Sequence, residues 1–156
     1  MRMVVEEKNT SEVEKLLNDM KPNQLENFYK ENNSSMVSAK KAFYYYMKDI
    51  LEAKNIRLKD IYIGIGESES YGEKILRMEK HTSDRDLILR MCIVGHFTVD
   101  ETNKALKLYG MHPLYAKDKR DACIIVAIHN RIYELFEIDD ILEKQGLLKL
   151  SKDIKK

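Results

Sequence analysis

Proline and glycine are scarce in this sequence, two and six residues in a chain of 156. A many-stranded sheet needs such residues at its turns, so their scarcity argues against an all-β fold and makes helix the expected state. Cysteine is sparse as well. Cys92 and Cys123 stand alone inside apolar runs, which excludes a disulfide framework or a Cys-x-x-Cys zinc site and marks both as buried, reduced, small hydrophobes. Net charge is close to nil. Lys and Arg number 27 against 26 Asp and Glu, a formal +1, so any basic surface must be local. The longest stretch without charge, Ala122 to Asn130, is far short of a membrane span, and no apolar leader-like region lies near Met1. These absences imply a cytoplasmic chain with no membrane association.

What is present suits one packed core: 44% apolar and 34% charged residues, unlike a disordered chain. Two short helices are expected between Ser11 and Glu31, one carrying Val13, Leu16, Leu17 and Met20, the next starting near Pro22 with Leu25, Phe28 and Tyr29. Asn32-Asn33-Ser34-Ser35 breaks the chain. A longer helix follows, because Ala39, Phe43, Tyr46, Met47, Ile50 and Leu51 recur at three- and four-residue steps. Tyr44 and Tyr45 lie off that stripe and are read as packing residues rather than a platform for bases. The alternating Ile61, Ile63 and Ile65 would also suit a strand, but with no partner strand the segment from Leu58 to about Ile65 is read as a helix closed by Gly66. The next helix begins at Ser68 or Ser70, the latter forming a capping box with Glu73.

Beyond that point the chain repeats itself. Arg85-Asp86 returns as Arg120-Asp121, Gly110 as Gly146 and Leu114 as Leu150, each about 35 residues on, a spacing found in helical-hairpin repeats. The halves from Ser83 to Leu114 and from Asp118 to Leu150 are expected to form similar hairpins packed on each other. Ser83, Thr98 and Asp118 each precede an acid by three residues, as N-caps do. The arginine and aspartate at each helix start are expected to fix the cap and a neighbouring loop.

These residues resemble a family: small bacterial proteins with a lambda-repressor/Cro-like helix-turn-helix and an added helical tail. The likeness rests on Gly66, Ser68, Ser70-Tyr71, Ile75 and Ser83-x-Arg85-Asp86 in the first part. In the tail it rests on Thr98-x-x-Glu101-Thr102, Ala105 to Leu108, Gly110, Leu114-Tyr115 and Lys119 to Ala122. It implies an all-α, lambda-repressor-like helix-turn-helix bundle with extra N- and C-terminal helices, five of its helices falling between Met36 and Tyr109. The expected parts are short helices over 1–35, the helix-turn-helix domain over 36–110, and a packed C-terminal hairpin with a loose tail over 111–156. Where such proteins carry an apolar residue after the turn glycine, this chain has Glu67; where they carry a small one before it, this chain has Ile65. Gly72 falls inside the second helix, at a cost of about 1 kcal/mol relative to alanine.

The expected function is that of a DNA-binding transcriptional regulator. A helix from about Glu69 to Glu79 would enter the major groove, with Ser70, Tyr71 and Lys74 toward base edges and Ser68 at its start. Lys59, Arg77 and Lys80 would contact phosphates. Tyr71 fits packing in the turn equally well. Glu69 and Glu73 motivate the alternative, a protein-interaction module that keeps the fold without binding DNA. Double-stranded DNA is the implied partner, with a protein partner or a homodimer as further associations. No enzyme is implied: His81, His96, His112 and His129 occur singly, no carboxylate pair stands in apolar surroundings, and no metal or other cofactor is called for.

Overall fold

Helix is the only regular state among the described residues, 10–31 and 41–152, of this computed structural model, and no strand occurs among them. The chain divides into two units, residues 1–39 and 40–156. In the first, α1 (Thr10–Asn18) is followed by a 3-10 turn (Pro22–Gln24) and α2 (Leu25–Glu31). The turn is opened by Pro22 and fixed by the Lys21 N–H, which donates to Gln24 Oε1 at 2.8 Å. The Asn32 to Ser35 break and Ala39 lie outside the described residues.

The second unit contains α3 (Ala42–Ala53), α4 (Leu58–Gly64), α5 (Glu69–Leu76), α6 (Arg85–Val94), α7 (Val99–Leu108), α8 (Lys119–His129) and α9 (Leu135–Lys144). Helix α6 is buried on all sides from Leu87 to Ile93, a run that is apolar but for Arg90. It is covered by α4 on one side and by α7 and α9 elsewhere, while α3 lies across α7 and α5. The tyrosines pack. Tyr46 donates to the Glu101 carbonyl at 3.3 Å and meets Phe97 edge-on, and Tyr44 lies beside Tyr45 at 5.3 Å. Burial, with Glu101 and Cys92 nearby, pushes the Tyr46 phenol up to about 12. Cys92 is buried as expected, but Cys123 is only half-buried, packed against the edge of the core.

Six helices end alike. Asn55, Met78, His96, Gly110, Arg131 and Gly146 take left-handed φ of 58, 63, 60, 82, 56 and 73°. The next N–H in each case bonds a carbonyl five residues back, as Phe97 does to Cys92 and Ile132 to Ala127, which satisfies the last turn. Five of the residues so placed, Ile56, Phe97, Met111, Ile132 and Leu147, are apolar and fold back onto the core. His96 and Arg131 therefore occupy equivalent positions, and His129 is the last residue of α8.

The duplication is structural, and its ion pairs are exchanged. Arg85 does not pair with Asp86; it reaches Asp121 through two bonds of 3.0 and 2.9 Å, and Arg120 reaches Asp86 through two of 2.8 Å. Each guanidinium also ties down the loop after the second helix of its own half: Arg85 donates to the His112 and Pro113 carbonyls, Arg120 to those of Leu148 and Lys149. A leucine then plugs each half. The Leu114 N–H is held by Asn103 at 2.8 Å and that of Leu150 by Asp139 at 2.7 Å. The cap of α6 is Asp84 rather than Ser83, its carboxylate accepting from the Asp86 N–H, whereas Thr98 and Asp118 cap as expected.

Candidate nucleic-acid interface

The face in question is built on α4, the turn at Gly66 and α5. The three isoleucines that alternate in sequence separate on the helix: Ile61 and Ile65, four apart, enter the core, while Ile63 points outward. Gly66 supplies the turn with φ of +78° and open space around it. Ser68, one of the two expected starts, caps α5, its hydroxyl accepting the Tyr71 N–H at 3.2 Å, in place of the alternative start at Ser70 with its capping box to Glu73.

Two glycines set how closely the helices approach. A Cβ on Gly72 would stand 3.0 Å from Ile65 Cδ1 and 3.5 Å from Tyr62 Cα, so the residue that weakens α5 locally is what lets it lie against α4. A Cβ on Gly64 would stand 2.8 Å from Val94 Cγ1, where α4 crosses α6. Glu67 also has a partner that sequence alone did not reveal. Its carboxylate takes a bond of 3.2 Å from Arg90, which is 1% exposed, and Lys152 lies 3.8 Å away.

The expected contact residues separate into two groups. Lys59, Ser70, Lys74 and Lys80 are exposed, as is Ser68 with its hydroxyl engaged in the cap. Tyr71 is half-buried and packs against the core, and Arg77 lies 3.4 Å from Glu73 with its guanidinium 6.0 Å from the Tyr44 ring centre. Helix α5 stops at Leu76, short of the expected Glu79, because Arg77 is its cap residue and Met78 turns left-handed. Lys80 therefore stands beyond the helix. The loop carrying it is moored by Tyr109, whose hydroxyl accepts the Thr82 N–H at 3.0 Å and whose ring stacks on His81 at 4.8 Å.

Elsewhere, an open groove of about 330 Å³ is lined by His96, Asp100, His129 and Arg131, with the His96 ring stacked on Tyr133 at 3.9 Å. Among the described residues no three His, Cys, Asp or Glu side chains gather as a metal site would need. No helix among them is long and apolar enough to cross a membrane. Comparison with known proteins finds no matching protein-family model, no matching curated protein and no matching solved structure.

Proposed function

We propose that the chain is a sequence-specific DNA-binding regulator in which α4, the Gly66 turn and α5 act as a helix-turn-helix of the lambda-repressor/Cro kind. The observation that carries this reading is the division of α5 into two faces. Gly72, Ile75 and Leu76 are buried, while Ser70 and Lys74, four residues apart on one side, are exposed. A short helix braced on one side and open on the other can present its first two turns to base edges. Lys59 and Lys80 then serve as phosphate contacts, whereas Arg77, held beside Glu73 and Tyr44, positions the helix instead. The reading involves no catalysis and no cofactor.

Fluorescence anisotropy of the full chain with labelled duplexes at two salt concentrations tests it. Lys74→Ala should erase preference between enriched and random sequences, while Lys59→Ala and Lys80→Ala should weaken both alike and each lower the salt slope by roughly one. Absence of wild-type binding at low salt would end the proposal. Exposed Glu69 and half-buried Glu73 beside these cations favour the second reading, a face for a protein partner. On the DNA reading, replacing both with glutamine strengthens duplex binding; on the protein reading it changes nothing in that assay.

A further inference from the structure

The two halves of the repeat differ in length by one residue, and the extra residue lies in the groove beside His96. Phe97 and Ile132 keep the spacing of Arg85 and Arg120, whereas the next pair, the α7 cap Thr98 and the α9 cap Glu134, stand one residue further apart, as do Gly110 and Gly146. Tyr133 is therefore without a counterpart, and its ring stacks on His96 at 3.9 Å with the planes 14° apart. His96 and Arg131, the equivalent residues after α6 and α8, both line this groove, so it lies where the two hairpin turns meet. Each holds a left-handed φ that costs a side chain more than it costs glycine, which makes the same turn at Gly110 and Gly146. Arg131 also differs from the other described arginines. Arg57, Arg77, Arg85, Arg90 and Arg120 each hold a carboxylate, while exposed Arg131 holds none among the described residues, although Asp100 lines the same groove.

We propose that this groove binds a small aromatic anion, a planar ring carrying a carboxylate or a phosphate. Its volume of about 330 Å³ suits a small ligand, and its lining divides by chemistry. Phe97, Val99 and Ile128 supply apolar contact, and the parallel His96 and Tyr133 rings supply flat surface for a further ring. Arg131 supplies the charge. A guanidinium matches the paired oxygens of a carboxylate or phosphate, and one that holds no carboxylate of its own is free to take the ligand's. Exposed His129 adds a polar donor on the same side, and the first turn of α7 forms one wall at the positive end of its dipole. Asp100 is the one carboxylate among the lining residues; it opposes an anion, so its removal should tighten binding. The proposal stands apart from DNA binding, since the groove is tested without nucleic acid.

NMR titration of the isotope-labelled full chain with benzoate and with phenyl phosphate should give saturable shifts centred on His96, His129, Arg131 and Tyr133. The tighter probe identifies the anionic group and should have a Kd of about 1 mM or below. Inorganic phosphate and benzyl alcohol should each bind about tenfold more weakly or worse, because the first lacks the ring and the second the charge. Arg131→Gln should weaken the tighter probe by about tenfold or more and Arg131→Lys by less, with Tm unchanged, since this guanidinium has no partner to lose. A variant that gains affinity guards against misfolding: Asp100→Asn should tighten binding by about threefold. The proposal is overturned by any of four results: no saturable shift up to about 20 mM of either probe, benzyl alcohol or inorganic phosphate binding as tightly as both, unchanged binding in Arg131→Gln, or binding in Asp100→Asn no tighter than in the wild type.

Discussion

Replacing Asp121 by alanine should cost far more stability than the same change at its repeat counterpart, Asp86. Asp121 is 6% exposed and accepts two bonds from Arg85 and one of 2.9 Å from the Tyr115 N–H. Its removal orphans a backbone donor and strands a guanidinium that is only partly open to water. One-sided deletion of a buried pair costs about 3–5 kcal/mol, and because Arg85 keeps the His112 and Pro113 carbonyls the lower end applies, about 3 kcal/mol. Among the described residues Asp86 accepts only from Arg120, and its side chain is 30% exposed. Water can replace it there, and the cost falls to about 1.5 kcal/mol. At about 3 °C per kcal/mol for a chain of this length, Tm should drop by about 9 °C and about 4.5 °C respectively.

A double-mutant cycle in urea then tests the exchanged pairing itself. Arg85 with Asp121 should couple by more than about 1.5 kcal/mol, whereas Arg85 with its sequence neighbour Asp86 should couple by less than about 0.5 kcal/mol. If the neighbours couple more strongly, or if Asp86→Ala is the costlier change, the exchanged bridge is not what joins the halves.

Acid should destabilise the fold through two carboxylates. Burial opposes the charged form of Asp121, but the hydrogen bonds from Arg85 and Tyr115 and the charges of Arg85 and Arg120 outweigh it; Glu101, also opposed by burial, is held down by the Thr98 N–H and Lys54. Both folded-state values lie below the unfolded ones of about 3.9 and 4.3, so their stabilisation is complete above that range and is lost as pH falls through the folded values. Calorimetry should show Tm flat above about pH 5 and falling below about pH 4, with a shallower acid limb in Asp121→Asn; an unchanged limb would refute the assignment. Gly64→Ala should cost about 1–3 kcal/mol by overpacking against Val94, and adding Val94→Ala should cost less than the two changes summed; strict additivity in urea would count against the contact. A polar thiol reagent should label half-buried Cys123 on the native protein and reach buried Cys92, whose thiol burial also pushes up, only on unfolding; equal rates would remove the distinction.

Much of the fold was legible because the signals were local. The period of the apolar residues placed α3, α6 and α8, the Thr98 and Asp118 caps gave two helix starts, and the recurring Arg-Asp and glycine exposed the repeat. Helix ends were harder to read where they lacked glycine. Asn55, Met78, His96 and Arg131 adopt the left-handed cap despite their side chains, and the apolar residue after three of them, Ile56, Phe97 and Ile132, holds the turn through tertiary packing. For the same reason α5 was expected to run past Met78. At the candidate interface the sequence supplied the residue types but not their partners: the ion pair of Arg77 with Glu73 is local, whereas the contact with Tyr44 joins α5 to α3. Exchange of the repeat's ion pairs was equally hidden, since adjacent Arg and Asp look paired in one dimension and point to opposite halves in three.

Arg90 shows how the apparent anomaly at Glu67 belongs to the architecture. An arginine remains charged wherever it is placed, so one that is 1% exposed must find acceptors in several directions. Arg90 donates to the Ile65 carbonyl at 2.9 Å, the Leu150 carbonyl at 2.7 Å and Glu67 at 3.2 Å. The first is the carbonyl of the α4 cap residue, at the helix end where acceptors lack a helical partner. The second belongs to the leucine that plugs the second repeat, whose own N–H is held by Asp139. Glu67 supplies the counter-charge, so an apolar residue after the turn glycine would leave Arg90 without its carboxylate and the buried cation costly. The same side chain therefore fixes the turn before α5 and the last leucine of the chain, and the orientation of α5 depends on a repeat that contributes no residue to its exposed face.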